Sequence, residues 1–161
     1  MVQRAIVLAH RLVFEGGSVS PAALGLLRRT LVSLAQIGVR DVLVVDGEQA
    51  DVLRDRLGLH EFPSLNVRIL FNRSWRRASG SATLIGRDLL TPNGDGRDEA
   101  CLVLRGDRPL DREALAALAS IDLAPTYEAA VVVARPPAAD ADFSAESKVR
   151  LRVAKGTTEV A

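Results

Sequence analysis

The stretch Ala100-Cys-Leu-Val-Leu-Arg-Gly-Asp107-Arg-Pro-Leu-Asp111 joins an apolar run to a glycine, an acid and a helix start. Residues Ala100 to Leu104 are typical of a strand buried in an α/β sheet. We therefore expect Asp107 at the carboxyl end of a central strand, where open α/β sheets bind their ligands. A carboxylate there is a natural ligand for a metal ion that bridges phosphates, although Asp107 could equally be a turn residue. Asp111 is a weaker companion, better interpreted as the N-cap of the next helix.

The first third of the chain alternates apolar runs with amphipathic stretches. Arg4 to Ala9 predicts a first strand, and Val42 to Val45 predicts a second. Between them, Ser20 and Pro21 predict the N-cap and first turn of a helix, and Gly38 its end. Leucines recur at helical spacing inside this segment, at Leu24, Leu27, Leu31 and Leu34. The segment is therefore an amphipathic helix between two strands.

The alternation continues along the chain. Asp46 with Gln49 predicts a capping-box start for a helix that ends near Gly58, and apolar residues of one parity predict a third strand near a sheet edge at 65–71. The further elements predicted are a helix capped by Ser79 or Ser81, a strand at 100–104, a helix at 110–121, a strand at 129–134, a surface loop at 134–147 and a hairpin with one basic face at 148–160. Five strands alternating with four helices predict an α/β fold in one domain over residues 1–161. It is a three-layer, Rossmann-like, mostly parallel sheet with helices on both faces and a small C-terminal hairpin.

Charge and composition argue against several classes of function. Across 161 residues, 21 Lys and Arg face 20 Asp and Glu, so no overall field attracts nucleic acid or anionic lipid. Aromatic residues make up only 4% and are scattered, which argues against a stacking platform for nucleic acid. The one cysteine, Cys101, is interpreted as a small buried hydrophobe. Without a secretory signal or a span of roughly 20 apolar residues, we expect a cytoplasmic protein.

The loop from His10 to Ser20 is the first candidate binding segment. Its backbone N–H groups could cradle the phosphates of a nucleoside triphosphate, with Ala9, Arg11, Gly16 and Gly17 as the binding residues. The loop is neither a Walker motif nor a dinucleotide fingerprint. Gly-Gly-Ser is more often a plain loop, and Arg11 is more often solvated.

Two other segments offer candidate residues. Ser79, Gly80 and Ser81 open a helix whose N–H groups could bind a base or a phosphate. The arginines of the preceding loop, residues 73–77, are more often solvent-facing. Lys148 belongs to the basic strand of the predicted hairpin, for which a solvated face is the alternative interpretation. The two histidines are set aside because no nucleophile elbow accompanies them.

Taken in order, these segments resemble the nucleotidyltransferase family that activates sugar or polyol phosphates, including cytidylyltransferases acting on inositol phosphate or phosphocholine. The matching segments are Arg4 to Ala9, Arg29 to Gly47, Asn72, Ser79 to Ser81, Leu104 to Asp107, and Lys148 with Val149. The resemblance implies that a nucleoside triphosphate, CTP favoured, lies over the first loop and that Asp107 holds Mg²⁺. It also implies that the helix start at Ser79 belongs to the nucleotide site. Asp107 and Lys148 are the catalytic candidates.

The sequence departs from this family pattern in its first loop. His10 replaces a small residue beside the phosphates, and Ser20 stands where the family's loop lysine precedes the proline. Losing one preorganised charge can cost orders of magnitude in rate. Family enzymes also continue into an acceptor-binding part, which this sequence lacks. We therefore expect a degenerate, truncated domain with weak or no catalysis, whose cleft between the first loop and Asp107 is short of positive charge.

Two alternatives remain open. In the first, the domain is an active Mg²⁺-dependent nucleotidyltransferase in which Arg11 or an arginine of residues 73–77 replaces the loop lysine. In the second, it is an accessory or docking domain fused to a membrane CDP-alcohol phosphotransferase, and it lies at the cytoplasmic face of the membrane.

Overall fold

The computed structural model describes residues 2–9, 14–15, 18–47, 50–74, 100–121, 151–154 and 157–160. Its strands in chain order are β1 (Arg4–Leu8), β2 (Phe14–Glu15), β3 (Ser18–Val19), β4 (Asp41–Asp46), β5 (Asn66–Phe71), β6 (Cys101–Arg105), β7 (Leu151–Ala154) and β8 (Thr157–Val160). The α-helices are α1 (Pro21–Gln36), α2 (Ala50–Leu57) and α3 (Arg112–Ser120), and a 3-10 turn covers Leu59–Glu61. The chain divides into two compact units, Met1–Ile121 and Asp122–Ala161. The single domain predicted over residues 1–161 stays a prediction.

The first unit contains a parallel sheet with the spatial order β5-β4-β1-β6. Counted along the chain, these strands are the third, second, first and fourth. This is the order of a doubly wound sheet, and the direction of winding reverses between β1 and β6. The α/β, Rossmann-like fold class is confirmed, and the third predicted strand, β5, is the outermost of the described strands on its side of the sheet.

Local sequence signals set the limits of α1. The Ser20 hydroxyl accepts a hydrogen bond from the Ala23 N–H at 3.1 Å, and Pro21 occupies the first helical position, where a missing N–H costs nothing. At the other end Gly38 has a φ of +86°, and the Val39 N–H donates to the Leu34 oxygen at 3.1 Å. This is the left-handed glycine termination that the sequence predicts.

The three α-helices among the described residues pack on one face of the sheet, where α1 contacts both α2 and α3. The fully buried leucines of this core are Leu27, Leu31, Leu34, Leu53, Leu57 and Leu115. On the other face Ile6, Leu43 and Val45 are also buried, so the sheet is covered on both sides at its centre. The helix predicted to begin at Ser79 or Ser81 and the strand predicted at 129–134 lie outside the described residues.

Two local predictions are wrong. Asp46 does not cap a helix: it ends β4 and is fully buried, while α2 begins at Ala50. Cys101 is exposed instead of buried, because β6 is the outermost of the four described strands on its side of the sheet.

The second unit contains an antiparallel pair, β7 with β8, in which Leu151 faces Val160 and Ala154 faces Thr157. The small C-terminal hairpin of the predicted fold is confirmed. None of the helices that the structure describes has both the length and the apolar character needed to cross a membrane.

Candidate functional site

The carboxyl ends of β1 and β6 meet where the winding of the sheet reverses, which is the ligand-binding position of an open α/β sheet. The Gly106 N–H donates to the Leu8 oxygen at 2.9 Å, which ties the turn after β6 to the last residue of β1. The Ala9 N–H donates to the Val45 oxygen, also at 2.9 Å, and is therefore committed to the sheet. These bonds hold the start of the first loop beside the turn that carries Asp107.

Gly106 allows this close approach. A Cβ placed on it would lie 3.3 Å from the Leu8 oxygen and 3.5 Å from Val7 Cγ1. The first distance is tighter than ordinary van der Waals contact, so a side chain here would press on β1. The absence of a side chain at Gly106 thus allows the turn after β6 to pack closely against β1.

Asp107 forms a bidentate ion pair with Arg105. Arg105 Nε donates to Asp107 Oδ1 at 3.0 Å, and Arg105 Nη2 donates to Asp107 Oδ2 at 2.7 Å. Burial by itself would raise the pKa of Asp107, but the hydrogen bonds and charge of Arg105, with a smaller contribution from Arg108, outweigh it and lower the pKa below its usual 3.8. Asp107 is therefore an ionised carboxylate whose two oxygens are both engaged.

This arrangement does not fit a divalent cation. Hard cations such as Mg²⁺ bind through carboxylate oxygens, and both Asp107 oxygens already accept from Arg105. In the part of the chain that the structure describes, no three His, Cys, Asp or Glu side chains are grouped so that they could hold a metal. Mg²⁺ at Asp107 would have to compete with the hydrogen bonds and the positive charge of Arg105.

The sequence reasoning missed Arg105. It expected a cleft short of positive charge, yet Arg105 and Arg108 both lie close enough to Asp107 to lower its pKa. The signal available in the sequence was the spacing of Arg105 and Asp107 on either side of Gly106, because a turn at a glycine can bring its two neighbours together.

Asp111 has the structural role preferred for it. Its Oδ1 accepts from the Ala114 N–H at 2.7 Å, which caps α3. The confirmed N-cap commits this oxygen to the helix instead of to a metal beside Asp107.

The first loop contains a short hairpin that the sequence analysis did not predict. In it β2 pairs antiparallel with β3, so that Phe14 faces Val19 and Glu15 faces Ser18. Val19 is 1% exposed, and its oxygen accepts from Arg56 Nη1 at 3.2 Å, which anchors the loop to α2. The available signal was a Gly-Gly pair between two short apolar-containing segments, which favours a two-residue hairpin turn.

Two buried polar residues lie at the carboxyl ends of the neighbouring strands β4 and β5. Asp46 is fully buried and Asn72 is 2% exposed, and the Asn72 N–H donates to the Asp46 oxygen at 2.7 Å. The Asn72 Oδ1 accepts from the Ser74 N–H at 2.9 Å. Asn72 therefore shapes the turn after β5, one of the positions that carried the family resemblance.

The structure describes two predicted site residues, Asp107 and Ala9, and places Ala9 close to Gly106, the residue before Asp107. The other predicted site residues lie outside the described residues: Arg11, Gly16, Gly17, Ser79, Gly80, Ser81 and Lys148. Their roles, and the nucleotide contact assigned to Ala9, stay predictions.

The strand order defines a Rossmann-like α/β domain, and a charged turn lies where its winding reverses. Its fold is similar to that of the inositol-1-phosphate CTP transferase from T. maritima, with a TM-score of 0.56 at 18% identity over 75% of this chain and 50% of that one. The 4-diphosphocytidyl-2C-methyl-D-erythritol synthase from Anaerococcus prevotii DSM 20548 gives a TM-score of 0.46 at 20% identity, over 70% of this chain and 46% of that one. The chain thus spans about half the length of these solved structures. No family model and no curated protein matches it.

Proposed function

We propose that the chain is a degenerate cytidylyltransferase-like domain that binds a nucleoside triphosphate weakly, with CTP favoured, and has little or no nucleotidyltransferase activity. The site is the cleft between the first loop and the turn carrying Asp107. The observation that carries the proposal is the bidentate Arg105–Asp107 ion pair, because it engages the carboxylate to which the resemblance assigns Mg²⁺. The likeness in fold to a CTP transferase supports the choice of nucleotide.

The first loop supports the same proposal. Ser20 stands where the family resemblance expects a lysine, and its hydroxyl caps α1 through the Ala23 N–H. The position has a structural role in this chain that a lysine could not fill, because a lysine has no oxygen to accept the hydrogen bond. Ser20 therefore caps α1, and the loop has no lysine at this position to contact phosphate.

A pyrophosphate-release assay tests the loss of activity. The protein is incubated with CTP, Mg²⁺ and phosphorylated alcohols of the inositol phosphate and phosphocholine type. We expect release no faster than with an Asp107→Ala variant. Robust release that Asp107→Ala abolishes would instead establish the alternative, an active Mg²⁺-dependent enzyme.

Exchanging the Ser20 side chain tests the binding site. We expect Ser20→Lys to bind CTP more tightly than wild type, because a cation returns to the phosphate loop. Ser20→Ala is the matched control, since both variants lose the helix cap but only one gains a charge. CTP should raise the melting temperature of Ser20→Lys most, because a ligand that binds only the native state stabilises it. Equal shifts in the two variants would contradict a phosphate site at this loop.

A further inference from the structure

We propose that Arg105 is a built-in counter-ion of Asp107, whose guanidinium keeps divalent cations off the carboxylate. This inference deepens the proposed function, because it concerns the same cleft and rests on that placement of the site. The test measures the binding of a metal ion without nucleotide, so the inference and the proposed function can be refuted separately.

The local backbone holds the pair in place. Arg105 is the last residue of β6, in register with Leu8 of β1, and Asp107 follows after the single residue Gly106. The Gly106 N–H bond to Leu8 and the close approach of Gly106 to β1 fix the turn between them. With the backbone fixed, only the side-chain rotamers remain to be ordered when the two residues pair.

The geometry of the pair engages the whole carboxylate. A guanidinium presents parallel N–H donors in a rigid fork, and the distances of 3.0 Å and 2.7 Å place one donor on each carboxylate oxygen. Paired, charge-assisted bonds of this kind are among the stronger interactions that a carboxylate makes. A cation approaching Asp107 must therefore compete with two hydrogen bonds and with the positive charge that makes them.

The surrounding charge acts in the same direction. Arg108 joins Arg105 in lowering the pKa of Asp107, so one carboxylate faces two positive charges. The nearest acid along the chain, Asp111, has an oxygen committed to the Ala114 N–H. Divalent cations are usually bound where several oxygen ligands converge, and the described residues contain no such group of acids.

Mn²⁺ binding to the full chain tests the inference, with the unbound ion measured by electron paramagnetic resonance. The proteins compared are wild type, Arg105→Gln, and Arg105→Gln combined with Asp107→Asn. The control is Arg40→Gln, which removes the same charge from an exposed residue at the opposite, amino end of β4. We expect Arg105→Gln to bind Mn²⁺ roughly tenfold more tightly than wild type, which is the scale on which a close opposite charge acts. The double variant and Arg40→Gln should match wild type.

Two results would overturn the inference. One is a double variant that binds Mn²⁺ as tightly as Arg105→Gln, which would show that the ion does not bind at Asp107. The other is no gain in Arg105→Gln. If circular dichroism shows that Arg105→Gln does not fold, Arg105→Met replaces it, because methionine keeps an apolar stem without the charge. A gain of the same order is then expected, and no gain would again refute the inference.

Discussion

The thiol of Cys101 illustrates how the surroundings of a single residue set its chemistry. The residue is exposed, yet desolvation by neighbouring atoms raises the pKa of its thiol to about 11, against small opposing effects of the Ile6 backbone and Arg4. Only the thiolate attacks a disulfide, and a raised pKa leaves less thiolate at neutral pH. Exposure therefore does not make Cys101 reactive.

We predict that Cys101 reacts with an aromatic disulfide reagent at pH 8 roughly tenfold more slowly than free cysteine, since the smaller thiolate fraction outweighs the higher nucleophilicity of a more basic thiolate. The rate should keep rising with pH toward about 11, the raised thiol pKa. Absorbance of the released thiolate measures it, and protein unfolded in urea provides the control with an ordinary thiol. A rate that levels off near pH 9 would contradict the shift.

Asp107 gives a prediction about pH and stability. Its pKa is lower in the folded protein than the usual 3.8, so its ion pair stabilises the fold fully above that value and loses this effect as the pH falls through the lower, folded value. Asp107→Asn should therefore lose less stability than wild type between pH 6 and pH 3. Urea midpoints at the two pH values measure the difference. Equal losses would show that the pair contributes nothing to the acid response.

At the scale of elements, two glycines should respond in opposite ways to a larger side chain. Gly106 lies against β1, and Gly106→Val should destabilise the protein by about 1–3 kcal/mol through overpacking. Gly25 lies within α1, where an added Cβ would meet nothing within 4 Å. Gly25→Ala should stabilise by about 0.4–1 kcal/mol because it restricts the unfolded chain.

Urea unfolding of both glycine variants measures these effects. Gly25→Ala serves as the control that adding a side chain at a glycine is not harmful in itself. A Gly106→Val variant as stable as wild type would mean that the turn after β6 does not need its close approach to β1.

Elements defined by local chemistry could be predicted from the sequence. The helix α1 begins and ends where Ser20, Pro21 and Gly38 place its limits, because capping depends on a few adjacent residues. The four parallel strands follow from their apolar runs. The hairpin of β2 and β3 was missed because strands of two residues are too short to show a period.

The candidate site was less predictable than the elements. The position of Asp107 at the carboxyl end of a strand followed from sequence, as did the N-cap role of Asp111. The pairing of Asp107 with Arg105 did not, because it depends on how the strand turns at Gly106 against a β1 that is distant in sequence. The burial of Asp46 at the carboxyl end of β4 likewise depends on neighbouring strands, so the adjacent residues alone suggested a helix start there.

At the scale of the first compact unit, α1 joins the packing on one face of the sheet. It contacts both α2 and α3, and its buried leucines lie in the same core as residues of β1, β4 and β6. Any loosening of α1 therefore reaches the two other helices and the sheet together. We expect this unit to lose its helices and its core in one cooperative step.

Adjacent residues of α1 test this cooperativity. Leu31 is fully buried, whereas Val32 is 44% exposed. Leu31→Ala should destabilise the protein by about 2–5 kcal/mol through lost burial and a cavity, whereas Val32→Ala should change stability by no more than about 0.5 kcal/mol. Urea unfolding followed by far-ultraviolet and near-ultraviolet circular dichroism should give coincident transitions for both variants, with only the Leu31→Ala midpoint lowered.

If Leu31→Ala does not fold, Leu31→Met should still fold and lose less than about 1.5 kcal/mol, since its volume is nearly conserved. Separate transitions by the two probes would show that α1 unfolds apart from the core that it covers.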